Sequence, residues 1–225
     1  MTGRLPAAVC WDFDGTLMDT EGVWYRVEAA FATRHGIDLP ADAQEHMVGG
    51  TVDHTAAYLR QLTGAAASVA EIAAELWAEC MAGLAAEPVP WHPGARELVA
   101  ELRSRGVPQA VVSTSRRAYL DITLGRLAPS LFDVIVSGDD VRRHKPDPEP
   151  YLLACELLDV APASVLVVED SRVGVDSGLA AGCLVLAVPT VSEFRPGPRL
   201  AVTPGLVGLD ADALVALFDG AGERA

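Results

Sequence analysis

Asp12-Phe13-Asp14-Gly15-Thr16 ends an apolar run, and residues 9–13 predict a short buried strand. Successive strand residues point to opposite faces, so Asp12 and Asp14 would face one site while Phe13 turns towards the core. Gly15 permits a tight departure of the backbone. Taken alone, Asp-x-Asp-Gly is also a common turn sequence. An EF-hand calcium loop is a further alternative, but its series of Asp or Asn residues and its closing Glu are missing here.

Apolar runs elsewhere in the chain predict four more strands, each bounded by Gly, Pro or polar residues. Helical patterns lie between these strands, and continuous apolar strands that alternate with helices predict an α/β fold with a parallel sheet. The predicted strands are Gln109–Ser113, Asp133–Ser137, Val165–Glu169 and Leu184–Val188. The predicted helices of this part are Pro93–Arg105, Arg117–Leu127, Pro150–Leu158 and Ser171–Ala181, with a last short helix near Asp210–Phe218.

A long interval separates the first predicted strand from the second. It covers about 95 residues, far more than one crossover needs, and it carries helical patterns near residues 20–35, 51–62 and 67–84. Prolines mark its end. We therefore predict a small helical domain of residues 19–91, inserted into a Rossmann-like core of residues 1–18 and 92–225.

Polar residues stand where the predicted strands end, which is where open parallel sheets bind ligands. Asp12 and Asp14 follow the first strand, and Glu169 and Asp170 end the fourth. Four neighbouring carboxylates repel one another unless a cation lies among them. Oxygen ligands without a nearby His or Cys suit Mg²⁺, so we predict a magnesium site there.

Three further residues predict a site for a phosphoryl group. Ser113 offers a hydroxyl, the Thr114 amide can donate a hydrogen bond, and Lys145 supplies positive charge. Each has a plainer interpretation as well, because a loop lysine is ordinarily solvated and Ser113 is a common helix cap.

Taken in order, these segments resemble the four motifs of the haloacid dehalogenase (HAD) superfamily of aspartate-nucleophile phosphotransferases, over nearly the whole chain. The segments are Asp12–Thr16, the strand that ends at Ser113, Lys145-Pro146 and Glu169-Asp170-Ser171 with Gly174. In that family the first strand lies between the second and the fourth. The long insert resembles the helical C1-type cap of the branch that includes phosphoglycolate phosphatase, sugar phosphatases and β-phosphoglucomutase.

The resemblance implies a role for each motif residue. Asp12 would attack phosphorus and form an aspartyl-phosphate, and Asp14 would act as general acid and then general base. Mg²⁺ would be bound by the Asp12 carboxylate, the Asp14 carbonyl and Asp170, with Glu169 supporting it from behind. Ser113, the Thr114 amide and Lys145 would hold the phosphoryl group.

The chain departs from some branches of the family. Dehalogenating members lack the second Asp of the first motif, so Asp14 favours phosphate esters. Mutase members carry Val after the motif glycine, a His in the first cap helix and an Arg early in the cap, where this chain has Thr16, Trp24 and the Arg-free segment 49–53. We expect a Mg²⁺-dependent phosphatase of a small phosphorylated metabolite, with Trp24 as a wall of the substrate pocket or a part of the cap core. A β-phosphoglucomutase-like mutase and a non-catalytic partner-binding protein stay open.

Composition limits the partners and the compartment. A formal net charge of −14 disfavours nucleic acid and anionic membranes, and no apolar run approaches the roughly 20 residues that span a bilayer. The N-terminal residues lack a long apolar segment, so we expect a cytoplasmic enzyme. Four scattered cysteines without a CxxC pair predict buried, reduced thiols. His144, next to Lys145, is interpreted as a surface imidazole, and the oligomeric state is left open.

Overall fold

One parallel sheet forms the centre of the fold in the computed structural model, which describes residues 5–47, 51–86, 89–125, 131–189 and 193–222. Its six strands have the order β3-β2-β1-β4-β5-β6. Their bounds are β1 (Ala8–Trp11), β2 (Gln109–Val112), β3 (Val134–Val136), β4 (Val165–Glu169), β5 (Leu184–Ala187) and β6 (Leu200–Val202). The prediction of an α/β fold with a Rossmann-like parallel sheet is confirmed.

Strand β1 lies between β2 and β4, as the family resemblance implies. Val9 is in register with Gln109 on one side and with Leu166 on the other. All residues of these three strands are buried, which explains why their sequences are continuously apolar rather than alternating. The segments that follow β1, β2 and β4 therefore leave the sheet at one edge, side by side.

Helices of the insert follow β1. They are α1 (Glu21–Arg34), α2 (Ala43–Met47), α3 (Val52–Thr63) and α4 (Val69–Ala86). Thr51 caps α3 by accepting a hydrogen bond from the His54 amide, and Gly64 ends it with a left-handed backbone. Buried apolar residues of α4, such as Ile72 and Leu76, recur four residues apart and form one face of that helix.

The remaining helices accompany the later strands. They are α5 (Ala95–Ser104), α6 (Arg117–Leu124), α7 (Glu149–Leu157), α8 (Arg172–Ala180) and α9 (Ala211–Gly222). Helix α7 packs against β2 and β3, and α8 packs against β4 and β5. These two helices flank the strands whose ends carry the candidate site.

Two short elements were not predicted from the sequence. Strand β6 has only three half-buried residues between proline-containing segments, and α2 has five residues, so neither shows a clear periodicity. The predicted end of a helix at Leu127 lies outside the described residues, as do Gly49 and Gly50.

The chain divides into two compact units. One consists of Met1–Asp19 with Pro90–Ala225, and the other is Thr20–Val89. The first unit contains the sheet, and the second contains α1 to α4. Among the described residues, no helix combines the length and the apolar character that crossing a membrane requires.

Candidate active site

A tight turn carries the chain away from β1 directly after Asp12. The Phe13 carbonyl accepts hydrogen bonds from the amides of Leu17 and Met18, each at 3.0 Å. Gly15 has φ +82°, and a Cβ atom there would lie 2.5 Å from Oδ2 of Asp170. Glycine is thus needed at this position for two reasons. It adopts the left-handed backbone readily, and without a Cβ atom the turn can lie close to Asp170 at the end of β4.

Lys145 is buried at the centre of the site and is the only lysine of the chain. Its Nζ lies 2.6 Å from Oδ1 of Asp12, 2.7 Å from Oε1 of Glu169 and 2.8 Å from the Val112 carbonyl. An ammonium group has three hydrogens, so protein oxygens accept all of them. Burial lowers the pKa of Lys145, but the charges of Asp12 and Glu169 outweigh burial and raise it above its ordinary value.

Glu169 is held from several sides at the end of β4. Besides Lys145, Oε1 accepts a hydrogen bond from the Tyr151 hydroxyl of α7 at 2.8 Å. Oε2 accepts from the Ser171 hydroxyl at 3.0 Å and from the amides of Asp170 and Ser171 at 3.1 and 3.2 Å. This carboxylate therefore fixes the loop that presents Asp170, and it positions Lys145 against Asp12.

Three buried carboxylates converge in this site. Asp12, Glu169 and Asp170 each offer an oxygen, and these oxygens all lie within 4.8 Å of one another. Burial raises the pKa of Asp12 well above its ordinary value, and the Glu169 charge adds to this against the opposing effect of Lys145. One ammonium does not balance three carboxylates, so the site has a surplus of negative charge and oxygen ligands. These properties fit a hard divalent cation.

Asp14 lies among hydroxyl groups at the end of β2. Its Oδ2 is 2.8 Å from the Ser115 hydroxyl and 3.4 Å from that of Ser113, and its Oδ1 is 2.5 Å from the Tyr119 hydroxyl. The structure thus places the two motif aspartates differently. Asp12 contacts the cationic side of the site, and Asp14 contacts the segment predicted to hold a phosphoryl group.

The other predicted residues occupy varied environments. Thr114 is exposed directly after β2, and His144 is exposed in the loop before α7. Trp24 is half-buried within the helical unit, where its ring lies 6.3 Å from that of Trp77. All four cysteines are free and buried, as predicted.

Two tyrosines that contact the motif carboxylates were not singled out from the sequence. They are Tyr119 and Tyr151. Tyr151 lies 18 positions from its partner Glu169, and Tyr119 lies 105 positions from Asp14. A tyrosine in an amphipathic helix predicts burial, and only the fold shows which polar group its hydroxyl meets.

We expect Gly174→Ala to disrupt the Glu169 arrangement. A Cβ atom at Gly174, in the first turn of α8, would overlap the Glu169 carboxylate, which must then move away from Lys145 and Tyr151. Disturbing this buried ion pair should lower the free energy of unfolding by about 3 kcal/mol. Urea denaturation of the variant and of the wild type measures the difference.

Gly83→Ala is the matched control for this prediction. Gly83 also lies within a helix, and its Cβ atom would meet Val23 at an ordinary 3.5 Å. This change should be neutral or stabilise by up to about 1 kcal/mol. Equal denaturation midpoints for Gly174→Ala and wild type would show that the carboxylate has room to move without loss.

The chain is similar to known proteins in both sequence and structure. A family model described as haloacid dehalogenase-like hydrolase matches residues 9–188. Hexitol phosphatase A of Escherichia coli (strain K12) is 37% identical over 195 residues, which cover 84% of this chain and 85% of that protein. The bifunctional riboflavin kinase/FMN phosphatase of Arabidopsis thaliana is 33% identical over 84% of this chain, which spans 50% of that relative.

One solved structure shares the fold of this chain over almost the whole length of both proteins. The crystal structure of a HAD family hydrolase from Deinococcus radiodurans R1, with bound phosphate and sodium, superposes with a TM-score of 0.72 and 27% identity over 99% of both chains. The matched family region contains every motif residue that was recognised in the sequence, from Asp12 to Gly174. This chain belongs to the haloacid dehalogenase-like hydrolases and is an enzyme of that family.

Proposed function

We propose that this protein is a Mg²⁺-dependent phosphatase that acts on a small phosphorylated metabolite of the sugar or hexitol class. The position of Asp12 carries the proposal. This residue directly follows strand β1, and its carboxylate accepts a hydrogen bond from the Lys145 ammonium and belongs to the cluster of three buried carboxylates. The similarity to a hexitol phosphatase supports the substrate class.

The first chemical step would transfer the phosphoryl group to Asp12. A carboxylate oxygen of Asp12 attacks phosphorus, a new P–O bond forms, and the ester P–O bond breaks. The electron pair of that bond stays on the leaving oxygen, which takes a proton from Asp14. The products are an alcohol and an aspartyl-phosphate.

The second step would restore the enzyme. A water oxygen attacks phosphorus while Asp14, now a carboxylate, takes a proton from that water. The bond between phosphorus and the Asp12 oxygen breaks, and inorganic phosphate leaves. Asp14 is protonated again and Asp12 is a carboxylate again, so protons and electron pairs balance over the cycle.

We assign Mg²⁺ to the carboxylates of Asp12 and Asp170 and to the Asp14 carbonyl, with Glu169 supporting the site. When bound, it supplies positive charge against the carboxylates and the phosphoryl oxygens. The Ser113 hydroxyl, the Thr114 amide and Lys145 would hold the phosphoryl group. Protein oxygens already accept all three hydrogens of the Lys145 ammonium. A phosphoryl oxygen would therefore have to replace one of these acceptors. One of the three acceptors is the Asp12 carboxylate, which is itself the reacting group.

The helical unit is assigned the role of the family's cap. Its proposed extent is residues 19–91, and Trp24 is the residue that we expect to contact the non-reacting part of the substrate. Replacing Trp24 should then change KM between substrates of different size more than it changes the chemical step.

Phosphate release from a panel of sugar and hexitol phosphates, with p-nitrophenyl phosphate as a generic ester, tests the proposal. We expect turnover that requires Mg²⁺, together with a rise of the thermal midpoint on addition of Mg²⁺ alone, because a ligand that binds the folded state stabilises it. Turnover that is equally fast in EDTA would contradict the magnesium assignment. Isomerised sugar phosphate without phosphate release would indicate a mutase, and a panel without any turnover would favour a binding protein.

A further inference from the structure

The Asp14 carboxylate is bound on both of its oxygens by hydroxyl groups from one segment. Tyr119 donates to Oδ1 at 2.5 Å and Ser115 donates to Oδ2 at 2.8 Å. Ser115 lies two residues before α6 and Tyr119 lies in its first turn, and both hydroxyls reach Asp14. Asp14 itself is half-buried, whereas Phe13, Gly15 and Thr16 beside it are buried. The two hydroxyls thus restrain a side chain that its own loop does not enclose.

Tyr119 is well suited to hold another group in place. Its side chain is fully buried, and its ring meets that of Phe13 edge-to-face, with centroids 6.0 Å apart and an interplanar angle of 84°. A buried ring with two side-chain torsions keeps its hydroxyl in one position. Phe13 lies between the two motif aspartates, so the same turn that carries Asp14 also fixes the tyrosine that binds it.

The segment that supplies the hydroxyls is anchored to the end of β3. The Ser115 carbonyl accepts a hydrogen bond from the Gly138 amide at 2.8 Å, and the Arg117 amide donates to Asp139 at 2.8 Å. A Cβ atom at Gly138 would overlap the Thr114 carbonyl, so the two segments lie in close contact. The hydroxyls are therefore presented by a part of the fold that is fixed independently of Asp14.

We propose that Tyr119, assisted by Ser115, is a positioning residue that holds the Asp14 carboxyl group in the orientation from which it protonates the leaving oxygen. This inference rests on the acid–base role proposed for Asp14. Proton transfer requires a donor held within a few tenths of an ångström of its productive place. Binding both carboxyl oxygens fixes the terminal torsion of Asp14, which is otherwise broad.

A pair of aryl phosphates that differ in their leaving groups tests this inference. Phenyl phosphate and p-nitrophenyl phosphate differ in the nitro group, and phenolate, the poorer leaving group, depends more on protonation. We expect Tyr119→Phe to lower kcat/KM for phenyl phosphate about tenfold more than for p-nitrophenyl phosphate. Asp14→Asn should change the ratio of the two kcat/KM values in the same direction, and by a larger factor. Ser115→Ala should show a smaller change and serves if Tyr119→Phe yields no folded protein.

Tyr25→Phe is the matched control, since this tyrosine is exposed on α1 and its variant should leave the ratio unchanged. A purely structural role of Tyr119 predicts equal losses for both substrates, and that result overturns the inference. So does faster phenyl phosphate turnover in Tyr119→Phe, which would mean that the hydroxyl restrains Asp14 away from the substrate. If wild type turns over neither ester, or Asp14→Asn leaves the ratio unchanged, the proposed function itself fails and this inference fails with it.

Discussion

Asp12→Asn should reduce the turnover of p-nitrophenyl phosphate by about 10⁴-fold or more in the presence of Mg²⁺. The carboxamide has almost the same shape as the carboxylate, but it is neutral and a poor nucleophile, so the aspartyl-phosphate cannot form. Losing the nucleophile of a two-step mechanism removes the whole pathway rather than one contact of it. The measurement is steady-state phosphate release with saturating substrate.

The same substitution should not unfold the protein. The side-chain oxygen of the new asparagine can still accept the hydrogen bond from Lys145. Lys145 also keeps Glu169 as a charged partner. In the wild type, burial and the neighbouring Glu169 charge raise the pKa of Asp12 above its ordinary value. Removing this one of the three buried carboxylates relieves the repulsion. We therefore expect a thermal midpoint in EDTA that is equal to or above that of the wild type.

Asp176→Asn is the control, because Asp176 is exposed on α8 in the same unit. It should retain full turnover. When the wild-type enzyme is quenched with acid during turnover, intact-mass spectrometry should detect one added phosphoryl group. The Asp12→Asn variant should lack this group. Turnover of Asp12→Asn within tenfold of wild type would assign the nucleophile to another group.

The site could be predicted from the sequence to the extent that it depends on strand ends. Asp12, Ser113 and Glu169 each stand at the carboxyl end of a continuously apolar run, and parallel strands bring such ends to one edge of the sheet. The order of the strands did not follow from the apolar pattern itself. It came from the family resemblance, and the register of β1 with β2 and β4 confirms it.

Contacts between helices and strand ends could not be predicted in the same way. A helix pattern shows that Tyr119 and Tyr151 are buried, but the partner of a buried hydroxyl depends on packing between elements far apart in sequence. The ion pairs of Lys145 could not be predicted for the same reason. Its motif indicated a contact to a phosphoryl group, whereas the structure directs all three ammonium hydrogens to protein oxygens.

Lys145→Met should cost both activity and stability. The variant keeps a side chain of similar length but leaves Asp12 and Glu169 as buried carboxylates without their shared cation. Breaking a buried ion pair on one side lowers the free energy of unfolding by about 3–5 kcal/mol. Turnover should fall by at least about 10³-fold, since the nucleophile loses its orienting partner and the site loses positive charge. Chemical denaturation and phosphate release measure the two effects.

The loss of stability should grow as pH rises. Without the ammonium, burial and the Glu169 charge raise the pKa of Asp12 further above its ordinary value. Above that ordinary value the folded variant holds a proton at Asp12 that the unfolded chain has released, so its stability falls with increasing pH. The difference between wild type and Lys145→Met should therefore be larger at pH 8 than at pH 5, and Mg²⁺ should recover part of it.

Two further variants separate charge, geometry and position. Lys145→Arg keeps the charge but replaces a compact ammonium by a planar guanidinium, so it should reduce the pH dependence without restoring turnover. Arg143→Met removes a neighbouring cation whose side chain is 70% exposed, and it should change the unfolding free energy by less than about 1 kcal/mol. If Lys145→Met were as stable as wild type at pH 8 in EDTA, the three carboxylates would not need this ammonium to share one buried site. Its activity would then report only the loss of a contact to the phosphoryl group, and Lys145 would be a substrate ligand rather than the charge around which the site is built.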